Sequence, residues 1–126
     1  MEAGMDSGLH QAVKLFNDGR FSEFQDALEA MISGTRASSE RQFYTVLNKL
    51  AEALLQLSDG DVDDAAEILS ASLRKLDDFL PRFRGLNTEA LRDEFRRVLL
   101  ELRDVKEGKR TEFAPSRMPR LRFLPE

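Results

Sequence analysis

Apolar positions recur at helical spacing five times along the chain. Leu9, Ala12, Val13 and Phe16 form the i, i+3, i+4, i+7 stripe of a first amphipathic helix. Asp6 or Ser7 is placed to cap its start, and Asn17-Asp18-Gly19 is a stop signal. Phe21, Phe24, Ala27, Leu28, Met31 and Ile32 mark a second helix, with Ser22 and Gln25 at capping-box spacing and Ser33-Gly34 at its end. A third opens at Ser39-Glu40-Arg41-Gln42, again at capping-box spacing, and continues through Phe43, Val46, Leu47, Leu50, Ala51, Leu54 and Leu57. Tyr44, Ala53 and Leu55 widen its apolar face, so this helix is expected at the centre. A fourth begins after Asp61, a good N-cap, and carries apolar positions from Val62 to Leu80, where Pro81 stops it. A fifth starts near Asn87 or Thr88 with Leu91, Phe95, Val98, Leu99, Leu102 and Val105.

No strand alternation of useful length appears. Short connections between long helices favour antiparallel neighbours. The spacing therefore predicts an all-α fold: a compact antiparallel bundle of about five helices over residues 1–108, followed by an irregular C-terminal arm, 109–126. The helix pairs do not repeat at a fixed 34-residue period, which disfavours a tetratricopeptide-like stack.

The arm differs from the body in composition. It holds three of the four prolines and a net charge of +3, against −7 for residues 1–108. Phe113, Met118, Leu121, Phe123 and Leu124 make it too apolar for a solvated linker. It is expected to dock on the acidic body or on a second subunit, with Phe113, Arg117, Met118, Arg120, Leu121, Arg122 and Phe123 forming a partner-binding arm.

Composition narrows the chemistry. The 126 residues suffice for one domain with its own core. There is no cysteine, which excludes disulfides, thiolate metal sites and cysteine nucleophiles. The single histidine, His10, excludes a histidine-pair metal site within one chain. A net charge of −4 argues against general phosphate-backbone binding, and the arm's arginines lack an aromatic stacking platform, so nucleic acid is disfavoured. No apolar run approaches a membrane span, and Met1 to His10 carries no basic start of a secretory signal, so a cytoplasmic location is expected. No cofactor or resident metal is expected.

Two constellations carry possible chemistry. Asp59-Gly60-Asp61-Val62-Asp63-Asp64 has the look of a calcium loop, but its sixth and twelfth positions are Asp64 and Ser70 where the EF-hand needs glycine and glutamate. A helix stop followed by a capped start explains it. Glu23, Asp26 and Glu29 fall near one face of helix two, where paired carboxylates can do acid–base work or hold a hard cation; a solvated polar face is the favoured alternative.

The stretch Leu15-Phe16-Asn17-Asp18-Gly19-Arg20-Phe21-Ser22-Glu23-Phe24-Gln25-Asp26-Ala27-Leu28-Glu29 resembles a family of small all-helical bacterial, archaeal and plastid proteins catalogued as domain of unknown function three hundred and nine. Glu40-Arg41, Leu50-Ala51-Glu52-Ala53-Leu54, Gly60-Asp61, Ala65 and Gly85-Leu86-Asn87 follow in the family's order. The likeness covers roughly Leu9 to Leu102. It implies a helical fold and no established activity. Gln25-Asp26 stands where the family has His-Glu, Ile32 where it has tryptophan, Thr45-Val46 where it has Gln-Gly, and Leu55 or Gln56 where it has a second histidine. If the family's histidines and acids form a metal-binding pocket, this chain lacks the imidazoles that would bind a transition metal.

The residues left to form a polar cluster are Glu23, Asp26, Glu29, Glu40 and Arg41. A cross-helix pair between Arg41 and Glu23 or Glu29 is expected, making Arg41→Ala cost about 2–4 kcal/mol. The sequence reads best as a non-enzymatic interaction or scaffold module that binds itself or another protein, with helices three and five offering wide apolar faces for a homodimer. The alternative is a cation-binding or hydrolytic protein using the helix-two carboxylates.

Overall fold

The computed structural model describes residues 2–108 and 118–125, with side chains from Gly8 onward. Among these residues there are five α-helices: α1 (Glu2–Asn17), α2 (Phe21–Gly34), α3 (Ser38–Ser58), α4 (Val62–Leu76) and α5 (Thr88–Lys106), with a 3-10 turn at Asp77–Phe79. Each helix packs on the next in sequence. Phe16 of α1 lies 5.0 Å from Phe24 of α2 and 6.4 Å from Phe95 of α5, ring centre to centre, so the first and last helices also meet. The all-α bundle is thus the observed fold. None of the helices described is long and apolar enough to cross a membrane.

The helix ends show which local signals acted. Gly19 and Gly60 sit at φ +80° and +84°. In that left-handed conformation the following amides fold back: Arg20 N–H donates to Leu15 O at 2.9 Å and Asp61 N–H to Gln56 O at 2.9 Å. Asp61 Oδ1 accepts from the Asp64 amide at 3.2 Å and Asn87 Oδ1 from the Ala90 amide at 3.0 Å, so both act as N-caps.

The other expected starts are corrected. Helix α1 already runs through Asp6 and Ser7, so neither residue caps it. Helix α2 begins at Phe21 behind Arg20, and α3 at Ser38 behind Ala37, both without a side-chain cap. Phe21 packs edge-on to Phe16 at 5.3 Å, which draws the first turn of α2 ahead of Ser22. Gln25 and Gln42 accordingly do other things. Helix α4 stops at Leu76, and the 3-10 turn carries Phe79 into the core before Pro81 is reached.

Helix α3 is central, as its wide apolar face predicts: Phe43, Val46, Leu47, Leu50, Ala51, Ala53 and Leu54 are all buried. Phe43 meets Phe79 at 5.3 Å and Phe83 at 4.6 Å. The connection before α5 is pinned to the core, because buried Thr88 donates its hydroxyl to Phe79 O at 2.6 Å. Phe83 and Leu86 exchange two backbone hydrogen bonds around Arg84 and Gly85, both at positive φ, as a tight hairpin-type turn requires.

Candidate functional site

Two helix-pair surfaces are candidates, and the structure treats them differently. One lies between α1 and α5 and is crossed by residues 118–125, an extended strap. Leu121 is only 3% exposed and joins the main core. Its backbone is read by one side chain: Asn17 Nδ2 donates to Leu121 O at 2.9 Å, and Leu121 N–H donates to Asn17 Oδ1 at 2.8 Å. The amide of Asn17 thus mimics a paired strand. Beyond it, Asn87 N–H donates to Arg122 O and Leu124 N–H to Gly85 O, each at 2.8 Å. Phe123 stacks on His10 at 4.2 Å with the rings 13° apart. Glu94 accepts from the Arg120 amide at 3.0 Å and lies 3.7 Å from Arg122 Nε. A cavity of about 750 Å³ remains beside the strap, between Phe16, Phe21, Arg97, Val98 and Met118.

This placement answers the expectation for the arm. Arg120, Leu121, Arg122 and Phe123 engage the chain's own acidic body, and Met118, 39% exposed, faces outward. Phe113 and Arg117 lie outside the described residues. His10 is a stacking partner for the strap.

The second surface is a groove of about 920 Å³ between α3 and α4. Its residues follow helical spacing on both walls: Arg41, Thr45 and Lys49 on α3; Asp64, Glu67, Ile68, Ala71 and Lys75 on α4. Half-buried Ile68 and Ala71, backed by buried Val46 and Phe79, supply an apolar floor. Arg36 stands at the mouth. The side chains of Arg36, Arg41, Lys75, Glu67 and Asp78 make no ion pair with any described residue. At the far end Asp64 is held above the usual carboxylate range, chiefly by its hydrogen bond to Asp61 and then by the charges of Asp61, Glu67 and Asp63.

The expected polar cluster does not assemble as drawn. Glu23 pairs with Arg20 on its own first turn, and that hydrogen bond holds its carboxyl below the ordinary range. Asp26 and Glu29 are exposed. Glu40 reaches Arg84 Nε at 3.0 Å, with Thr35 Oγ1 and Tyr44 Oη donating to it at 3.4 and 3.5 Å. Burial raises the Tyr44 hydroxyl above its ordinary value. Arg41 is exposed on the groove wall and pairs with neither Glu23 nor Glu29, so its expected cost of removal is revised below. No group of three or more acids or histidines among the described residues is arranged to hold a metal ion.

A polar cluster that sequence reasoning missed lies on the α2–α3 seam. Gln25 Nε2 donates to Asn48 Oδ1 at 2.8 Å and to Glu52 Oε1 at 3.0 Å; Gln56 Nε2 donates to Glu52 Oε2 at 3.0 Å. These donors, Gln25 first, lower the carboxyl of Glu52. Gln25 stands where the resemblance has one histidine, and Gln56 is one of the two positions matching the other. Asn48, Glu52 and Gln56 stand four residues apart along α3, and that spacing was the available signal. The cluster locks two helices in register and presents no second acid or nucleophile for chemistry.

No protein-family model, curated protein or solved structure matches this chain.

Proposed function

We propose that this protein is a non-enzymatic helical interaction module that receives a protein partner in the α3–α4 groove. The observation that supports this most is the groove itself, an apolar floor between walls on which Arg36, Arg41, Lys75, Glu67 and Asp78 make no ion pair with any described residue. A partner that supplies both apolar contact and opposite charge gains on both counts. Homodimerisation through α3 and α5 stays part of the same proposal as the second occupant; Leu100 on α5 and Met118 on the strap are the large apolar side chains left exposed among the described residues. A cytoplasmic setting and descent from the family of unknown function belong to the same proposal. The family likeness rests on Glu23, Glu29, Glu40, Arg41 and the Gly60-Asp61 step, and it adds a fold and no activity.

Affinity capture from native lysate tests the reading, using the full chain and its Ile68→Glu variant as baits, each checked for native helicity. A specific protein retained by the wild type and lost by the variant is the expected result. Equal retention by both baits contradicts it. Calorimetric titration with magnesium, manganese and calcium tests the cation-binding alternative, and heat from a stoichiometric site would displace the interaction reading.

A further inference from the structure

The groove has a direction. Helices α3 and α4 are joined by three residues, 59–61, and run antiparallel, so residues equally far from that turn lie level with each other. Arg41 is level with Asp78 and Phe79, Thr45 with Lys75, and Lys49 with Ala71. Asp64 and Glu67 lie nearer the turn. The open end therefore carries Arg36, Arg41 and Lys75 against Asp78 alone, and the turn end carries Asp64 and Glu67. The macrodipoles of the two antiparallel helices oppose each other, which leaves side-chain charge to set the polarity of the groove.

We infer that the groove takes one amphipathic helix from a protein partner, lying parallel to α4, with basic residues in its N-terminal half and acidic residues in its C-terminal half. This rests on the interaction reading above and adds the partner's chemistry. A single helix matches the length and width of the groove, and a second copy of this chain seated there is an outcome the test below separates from it. Charge sets the direction. The positive N-terminal end and basic side chains of the incoming helix meet Asp64 and Glu67; its negative C-terminal end and acidic side chains meet Arg36, Arg41 and Lys75. Asp64 to Lys75 spans 11 residue steps of α4, so the seated helix is about three to four turns long. Its apolar stripe at i, i+3, i+4 and i+7 lies on Ile68 and Ala71.

A displayed library of short amphipathic helices, randomised on the polar flanks, tests this with the full-length chain as target. Enrichment of Lys or Arg in the first half and Asp or Glu in the second is the expected outcome, with binding lost in Ile68→Glu. The double variant Arg41→Glu/Lys75→Glu alters exposed positions only, so its fold is expected to persist. It should weaken the selected helices about tenfold and favour sequences with the acidic half reversed. Selection of the opposite polarity, helices that bind regardless of Ile68→Glu, capture of a second copy in place of a helix, or no helix at all overturns the inference. If the lysate partner is still lost in Ile68→Glu while no helix is selected, the interaction reading survives and the helical occupant does not.

Discussion

The two grooves of this bundle differ in who fills them. Between α1 and α5 the chain supplies its own occupant: Leu121 enters the core, Asn17 pairs with its backbone, and Glu94 meets Arg120 and Arg122. Between α3 and α4 the same ingredients are present on the walls, an apolar floor and charges of both signs, with no segment among the described residues laid across them. The filled groove shows what satisfaction looks like in this fold. It needs one buried aliphatic anchor, backbone hydrogen bonds and a charge pair. Among the described residues nothing supplies these to the open groove, and that difference is why we propose it as the binding face.

The comparison predicts unequal costs of truncation. Leu121→Ala removes a buried anchor and is expected to cost about 2–4 kcal/mol in denaturant titration. Ile68→Ala, half-buried on the open floor, is expected to cost only about 1 kcal/mol. Equal costs would mean that the two grooves are equally part of the folded core. Asn17→Ala leaves the Leu121 amide and carbonyl without their partner and is expected to cost about 1–3 kcal/mol, with faster hydrogen exchange at the Leu121 amide.

A smaller effect is expected with acid. The carboxyl of Glu52 lies below its ordinary value of 4.5 in the folded chain because Gln25 and Gln56 donate to it. Its contribution is therefore complete above pH 4.5 and is lost as pH falls through the lower folded value. Glu52→Gln should flatten that part of the stability–pH curve and leave the neutral-pH slope unchanged. The smallest effect is expected for Arg41→Ala, within about 0.5 kcal/mol, since the side chain is exposed and makes no ion pair with any described residue. A loss of 2 kcal/mol or more would restore the buried cross-helix pair that its sequence context first indicated.

Most of the fold was legible because it is local. The 3.6-residue stripes of Leu9–Phe16, Phe43–Leu54 and Leu91–Leu102 state which face is buried without reference to the rest of the chain. Asp61 and Asn87 were readable as caps because each stands directly before its helix. Ser22 matched the same spacing but was overruled when Phe21 packed on Phe16 and α2 began earlier, and α3 likewise begins one residue ahead of Ser39. Contacts between distant residues were not legible. Asn17 and Leu121 are 104 positions apart, and nothing near either signals the other. Glu40 chose Arg84 over its neighbour Arg41 because the turn at Arg84 and Gly85 folds back onto α3. The open groove depends on the register of two helices, and its charged side chains look like ordinary surface residues when each helix is read alone.

The most direct measurement is an NMR titration of the isotope-labelled full-length chain with the protein captured from lysate. Amide shifts are expected to concentrate on Val46, Lys49, Ile68, Ala71 and Lys75, with the strap resonances of Leu121 to Leu124 unmoved. Shifts confined to α1, α5 and the strap, with the α3–α4 face silent, would contradict the assignment of the open groove as the binding face.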